Sequence, residues 1–493
     1  MVLPRGTDIQ ITGHREGSMA KYKVGFDDKT GKINSLDITV YINWGSPSGI
    51  HFAIFGQVLF SLQGVYAMDN IHTMVKNCAT NIPATKPMRT FGIVQSVFII
   101  ESIITDIALK CGMPVLQVRE VNMHKEDIPT TYYGVPIEGF DVFRRCWKGC
   151  LDKSDYHNRR NQVNNFNSKN KWTKRGIAIA PLKFNVGNYP TFMHQAGAMV
   201  NLYLDGSVLI HHGGVEVGQG IHTKMIQIAN RVLGIPVDKI HVAENSTYVI
   251  PHATDTAGSH STDMWGMAVK NACDTLVDRL APFKSAKPDG NFADWVSAAY
   301  FSRVNLSVIG YHQTPDITWD WATKTGRPYP YSTFGAACSE VQIDCLTGSH
   351  ELLRTDIVMD VGKSLNPALD IGQIEGAFMM GYGYFMLEEL LWDKDGTLIT
   401  NGPYNYKIPC VRDIPAEFNI TLLRNCPNVR GVYSSKGIGE PTLCLANTVH
   451  FAVQDAIQSA RVDAGISEML SLEAPATPDR IRKACGELNF TKL

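Results

Sequence analysis

The chain has no Cys-x-x-Cys pair, although its 493 residues include 11 cysteines. Without such pairs or a regular spacing, no four-ligand zinc or iron–sulfur constellation is expected. An odd, scattered set suits reduced thiols in a cytoplasmic protein better than a disulfide framework. The closest pair, Cys146 and Cys150, reads as two buried positions on a helix. No apolar run approaches the ~18–20 residues of a membrane-spanning helix. The opening MVLPRGTDIQ lacks a basic stretch followed by an apolar one, so no secretory signal is expected. Charge of one sign is also missing: 46 basic and 47 acidic side chains leave a net charge of −1. That balance points to neither nucleic acid nor an anionic membrane as a partner. There is no internal repeat and no low-complexity segment. The last three residues, TKL, loosely resemble a peroxisomal address, the one competitor to a cytoplasmic location.

What is present is ordinary globular material, 44% hydrophobic and 19% charged, in a chain long enough for several domains. KYKVGFDDKTGKINSLDITVYINWG holds two β-rich runs around a Lys-Thr-Gly turn and predicts an antiparallel pair. AMVNLYLDGSVLIHH predicts a hairpin with Asp-Gly at its turn, and SEVQIDCLTGSHELLRTDIVMDVG predicts another. Helical spacing of apolar residues marks QSVFIIESIITDIALKCG, HTKMIQIANRVLG, NPALDIGQIEGAFMMGYGYFMLEEL and PTLCLANTVHFAVQDAIQSAR. Antiparallel hairpins with interspersed helices give an α+β fold with mixed and antiparallel sheets rather than a doubly wound sheet. Residues 151–175 are polar and poor in aliphatics, and read as a connection, in part a solvated helix, between residues 1–150 and 176–493.

Glycine marks the places where chemistry is expected. HHGGVEVGQGIHTK (211–224) joins a strand to a helix through four glycines, and DTAGSHST (255–262) also precedes a helix. Such loops allow close backbone approach, and amides at a helix start can hold an anionic group. Neither has Walker or Gly-x-Gly-x-x-Gly spacing. His211 and His212 alternate across a strand, so a shared metal is not expected. A third loop, SSKGIGEP (434–441), sets a lone glutamate, Glu440, between a glycine and a proline ahead of an apolar helix. A surface turn would tolerate that arrangement, and a reaction centre that needs a desolvated base could use it as well.

Taken together, GGVEVGQGIHTKM, CSEVQIDCLTG, RTDIVMDVGKSLNPALDIGQIEGAF and SSKGIGEP closely resemble the molybdenum-binding region of the xanthine dehydrogenase/aldehyde oxidase family, from about residue 8 to residue 485. The resemblance implies two molybdopterin-binding domains, the first incomplete on its N-terminal side. It implies a molybdenum-molybdopterin cofactor, with the metal held through the pterin dithiolene rather than by side chains. Aldehydes or uncharged N-heterocycles would be oxidised with water as the oxygen source, and Glu440 would be the general base. Gln219 and Gln373 match glutamines that hydrogen-bond the pterin, and Arg89 an arginine near pterin and metal. Gly218, Ala257, Gly258, Ser259, Ser261 and Gly439 fall in the cofactor-binding loops. Phe91 matches a phenylalanine that stacks on flat substrates.

Three positions depart from the family pattern. Gln63 stands where xanthine-oxidising members have an arginine, Asn188 where they have a second sandwiching phenylalanine with Tyr189 beside it, and Thr90 makes RTFG of the usual RGFG. Xanthine therefore loses its cationic clamp, and less charged substrates are expected. No iron–sulfur or FAD site is expected in this chain, so electrons would pass to a separate iron–sulfur or flavin subunit. The resemblance also implies a homodimer. The rival reading is a catalytically inactive paralogue, or a fragment, that keeps the fold as a scaffold.

Overall fold

The computed structural model describes residues 3–46 and 51–486. The terminal TKL lies outside the described residues. After a short helix α1 (Arg5–Ile11), the first predicted pair forms as β1 (Ser18–Phe26) and β2 (Ile33–Gly45), antiparallel, with β3 (Ile71–Ala79) added parallel to β2. Four helices follow this sheet or interrupt it: α2 (His51–Ser61), α3 (Ile93–Cys111), α4 (Val115–Asn122) and α5 (Phe140–Lys153). α3 is apolar on nearly every side and is correspondingly buried; it stops where Gly112 takes a left-handed conformation.

The residues expected to form a polar connection fold as the end of α5 and as α6 (Tyr156–Asn167). Tyr156, Arg159, Val163 and Asn167 of α6 are buried, and α6 packs on β4 (Thr173–Val186). Its outward face carries the polar residues that make it look like a linker. The buried face earns its place by ion pairs: Arg159 reaches Glu340 at 2.8 Å and Asp356 at 3.0 Å.

β4 then lies in a sheet of order β13-β12-β11-β4. Its partners are β11 (Tyr331–Asp344), β12 (His350–Met359) and β13 (Glu417–Leu422). β4 reads as a nearly continuous apolar run because both faces are covered. One face meets α5, α6 and the core of the first sheet. The other meets α10 (Pro367–Met386), the short α11 (Thr442–Leu445) and α12 (Asn447–Asp463). Asn366 caps α10 by accepting from the Leu369 amide at 3.1 Å, with Pro367 at the first helical position.

A third layer holds the other predicted hairpin, β5 (Gln195–Leu202) and β6 (Val208–His212), flanked by β7 (Ile240–Val242) and β8 (Ser307–Gln313). α7 (Ile221–Leu233), α8 (Ser261–Ala286) and α9 (Phe292–Phe301) cover its inner face. A small β9 (Thr318–Asp320)–β10 (Thr325–Arg327) hairpin and α13 (Pro478–Ala484) complete the elements. The architecture is α+β with mixed and antiparallel sheets. Cys146 and Cys150 are both fully buried on α5. Among the described residues no helix is long and apolar enough to cross a membrane.

Candidate active site

Four loops that each run into a helix converge where the layers meet. They precede α3, α7, α8 and α11, and α10 closes one side. Together they enclose a cavity of about 480 Å³, within the range of a cofactor- or drug-sized ligand. Of the residues singled out from sequence, Arg89, Phe91, Gly218, Gln219, Ala257, Ser259, Ser261, Gln373, Gly439 and Glu440 all line it. The loop containing Arg89 was not recognised as the fourth of a set, because it is proline-rich rather than glycine-rich.

Glu440 is 8% exposed at the cavity wall. Its Oε1 accepts from the Thr90 amide at 3.2 Å and its Oε2 from Ser259 Oγ at 2.9 Å; its own amide donates to Ser259 Oγ at 2.9 Å. Burial pushes the Glu440 carboxyl above the ordinary glutamate range, while the bonds from Ser259 and Thr90 and the charges of Arg89 and Arg15 pull it back. The result is a carboxylate that is more basic than one in water yet held in one orientation. The helix behind it is fully packed: Leu443, Cys444 and Leu445 are buried.

Arg89 ties two walls together. Its Nε donates to the Gly439 carbonyl, and its Nη2 donates to the Gln373 carbonyl at 3.1 Å and to Gln373 Oε1 at 3.2 Å. Arg15, which sequence reasoning missed, braces the same loop by donating to the carbonyls of Met88 at 3.2 Å and Arg89 at 2.7 Å. Thr90 has φ 71°, the left-handed region that favours glycine, and is wholly buried. The departure from RGFG therefore falls on the residue whose amide holds the base.

The loop before α7 behaves differently from expectation. Its amides do not wait for an anion, because Glu216 takes them: Oε1 accepts from Gly218 and Gly220, each at 2.9 Å, and Oε2 from His222 at 3.2 Å. The Gln219 side chain folds back on the same loop, accepting from the Val217 amide at 2.7 Å and donating to the Val215 carbonyl at 2.8 Å. The loop before α8 keeps the open arrangement. His260 provides no side-chain cap, so the first-turn amides of Ser261, Thr262 and Asp263, three residues that line the cavity, have no intrahelical acceptor. Asp263 and Lys224 also line the cavity and were not found from sequence. Nothing local distinguishes them from a first-turn aspartate and a helix-surface lysine.

Four of the residues singled out do not line the cavity. Gln63 is 2% exposed; its Oε1 accepts from the Tyr132 amide at 2.8 Å and its Nε2 lies 3.2 Å from His124 Nε2. It follows the end of α2, where the chain turns into the first core. Asn188 is buried, its Oδ1 accepting from Gln57 at 3.3 Å. Tyr189 joins an aromatic cluster, with ring centroids 5.2 Å from Trp321 and 6.0 Å from Phe60. Gly258 lies behind the wall, its carbonyl accepting from the Gly187 amide at 2.7 Å. Packing decides these placements, and sequence spacing carries no trace of it.

The chemistry of the donor set suits a phosphorylated pterin. Cationic Arg89 and Lys224 (the latter also paired with Asp370 at 2.9 Å), the hydroxyls of Ser261 and Thr262, and the uncapped start of α8 are donors for an anionic group and for ring oxygens. Among the described residues no group of three or more His, Cys, Asp or Glu side chains could hold a metal.

Comparison with known proteins agrees with this geometry. Profiles of the molybdopterin cofactor-binding domain match residues 1–123 and 149–415. The whole chain aligns with xanthine dehydrogenase/oxidase of Gallus gallus at 47% identity, covering 36% of that protein's length. It aligns with aldehyde oxidase 2 of Macaca fascicularis at 45% identity, again over 36% of that protein. The chain thus spans about a third of the length of these relatives. Solved structures share the fold. Quinoline 2-oxidoreductase from Pseudomonas putida 86 superposes with a TM-score of 0.83 at 20% identity, over 98% of this chain and 64% of that one. Aldehyde oxidoreductase from Desulfovibrio desulfuricans does so with a TM-score of 0.81 at 24% identity, over 97% and 50%. With its two cofactor-binding domains and its full-length alignment, the chain belongs to the molybdopterin cofactor-binding domain family, in the form carried by xanthine dehydrogenases and aldehyde oxidases.

Proposed function

We propose that this chain forms the molybdopterin-binding part of a hydroxylase that oxidises aldehydes or uncharged N-heterocycles with oxygen from water, and that Glu440 is its general base. The observation that carries the reading is the Glu440 carboxyl itself: buried at the cavity wall, raised by desolvation, and held by Ser259 Oγ and the Thr90 amide. Bound molybdenum-molybdopterin supplies two-electron redox chemistry. Arg89, Gln373, Ser261 and the backbone at Ala257 and Gly439 are groups that would hold it, and Gln219 and Gly218 would join them by exchanging their bonds within the loop before α7.

The chain's own part is acid–base and steric. Glu440 takes a proton on the carboxylate, and the two hydrogen bonds keep a lone pair aimed into the cavity rather than into the α11 packing. Phe91, Met380 and Ile438 give the cavity an apolar wall that accepts a flat, uncharged substrate and excludes water. Gln63 lies outside the cavity, so the preference for neutral substrates over anionic purines rests on its standing in the sequence where xanthine-oxidising members have an arginine. Electrons leave to an iron–sulfur or flavin acceptor on a separate subunit, the assembly is a homodimer, and the working compartment is the cytoplasm.

Expression in a host that makes the pterin cofactor, followed by metal analysis and anaerobic single-turnover reduction by an aromatic aldehyde, tests the proposal. Glu440→Gln keeps the shape and one carbonyl oxygen but removes the base. Reduction should slow by about 10²–10⁴-fold at unchanged molybdenum content. An undiminished rate would sink the assignment of Glu440, and a folded wild-type protein that takes up no molybdenum would favour the scaffold reading.

A further inference from the structure

Asp263 lines the cavity from the first turn of α8, but its bonds run outward to the loop that carries the base. Its Oδ2 accepts from Tyr331 Oη at 2.5 Å, and its Oδ1 accepts from the Val432 amide at 3.3 Å. The phenol oxygen in turn accepts from the Gly437 amide at 2.8 Å. A phenol has one proton, and here it goes to the carboxylate, which leaves a lone pair free for the Gly437 N–H. Gly437 stands three residues before Glu440. On the far side of the same loop, Lys436 Nζ donates to Asp360 Oδ2 at 2.6 Å and to the Ser332 carbonyl at 2.9 Å.

We propose that Asp263 and Tyr331 are positioning residues for the base: through the Gly437 amide they hold the 435–440 loop where Glu440 keeps both its hydrogen bonds. This rests on the reading of Glu440 as base. Packing alone would not require such a pair. A buried carboxyl bonded to a buried phenol is costly to desolvate, and apolar side chains of the same volume usually stabilise as well or better. Asp263 is 8% exposed, and that burial pushes its carboxyl up to about 7. The surrounding titratable groups are few. Arg89, Arg15 and Cys444 face Glu440, Lys224 faces Asp263, and Asp360 and Lys436 flank Tyr331.

The relay has a consequence for proton uptake. The bonds from Ser259 and Thr90 hold the Glu440 carboxyl down against its burial. Removing the phenol frees the Gly437 amide, lets the loop drift from Ser259 and raises the carboxyl further. In molybdenum-loaded Tyr331→Phe, the acid limb of the rate of aldehyde reduction should therefore move up by about one pH unit. The rate at neutral pH should fall roughly tenfold or more, as misplaced catalytic groups do. A limb present in wild type, abolished in Glu440→Gln and unmoved in Tyr331→Phe would overturn this inference while leaving the proposed function standing. A limb that persists in Glu440→Gln would remove the base assignment, and this inference with it. Hydrogen exchange at the Gly437 amide in metal-free protein gives a readout without turnover. Exchange at least tenfold faster in Tyr331→Phe is expected, with Asp263→Asn as the second variant should the first not fold. Unchanged protection in the folded variant would refute the relay.

Discussion

Gly437 and Gly439 look equivalent in SSKGIGEP, and the structure makes them opposites. A Cβ added at Gly437 would lie 2.1 Å from the Ser259 carbonyl oxygen and 2.9 Å from its carbon. Ordinary van der Waals contact begins near 3.4 Å, and the obstacle is backbone, not a flexible side chain. Gly437→Ala must therefore push the 435–440 loop away from Ser259 by about 1 Å. Overpacking of this kind costs about 1–3 kcal/mol. The displacement also pulls Glu440 from Ser259 Oγ, and an error of about 1 Å in a catalytic group costs on the order of 10²-fold in rate. A Cβ at Gly439 meets Ser259 Oγ at 3.6 Å and Gln373 Oε1 at 3.7 Å, which is ordinary contact. Gly439→Ala should fold with wild-type stability, within about 0.5 kcal/mol. Urea denaturation of both variants beside wild type, with single-turnover reduction of the metal-loaded forms, makes the comparison. Equal midpoints for the two variants, or a Gly437→Ala as fast as wild type, would refute the steric argument.

Other consequences can be measured in the same way. Arg89→Lys keeps the charge but loses the planar fork that joins Gly439 to Gln373, so molybdenum content should drop at least severalfold; full loading would show that the arginine is not needed for the site. At Thr90, φ 71° favours glycine, so Thr90→Gly should be more stable than Thr90→Ala by about 1 kcal/mol, and the reverse order in denaturant midpoint would contradict the left-handed assignment. Asp263 titrates near pH 7 in the fold and near pH 4 when unfolded, so the folded state holds a proton that the unfolded chain has released in between. Its contribution is fully present below about pH 4 and is lost as the pH rises through 7, by up to ~4 kcal/mol. Asp263→Asn should flatten the fall in urea midpoint from pH 5 to pH 8, and parallel slopes in the two proteins would rule this out.

Local pattern alone carried the elements. The period-2 runs around Lys-Thr-Gly and Asp-Gly became β1–β2 and β5–β6, and the helical stripes became α3, α7 and α10. Strand and turn preferences, caps and helical periodicity act between residues a few positions apart, so a sequence displays them directly. Three of the four loops that build the cavity were also legible, because a glycine or small-residue stretch before a helix has a local cause. What tertiary structure alone decided is which atoms those loops bring together. The Glu440 carboxylate takes its hydrogen bonds from partners 181 and 350 positions away in the chain. The Asp263–Tyr331 contact, 68 positions apart, has no signature in either segment. The same holds for what was misplaced. Gln63 and Tyr189 stand beside motif residues in sequence, but α2 and the aromatic cluster turn their side chains into the protein. Residues 151–175 read as solvated because one face of α6 is, while its other face is settled by Glu340 and Asp356 nearly two hundred residues on. Desolvation and contact depend on the whole packed chain, and so the strength of the base at Glu440 is a property of the fold rather than of the eight residues that contain it.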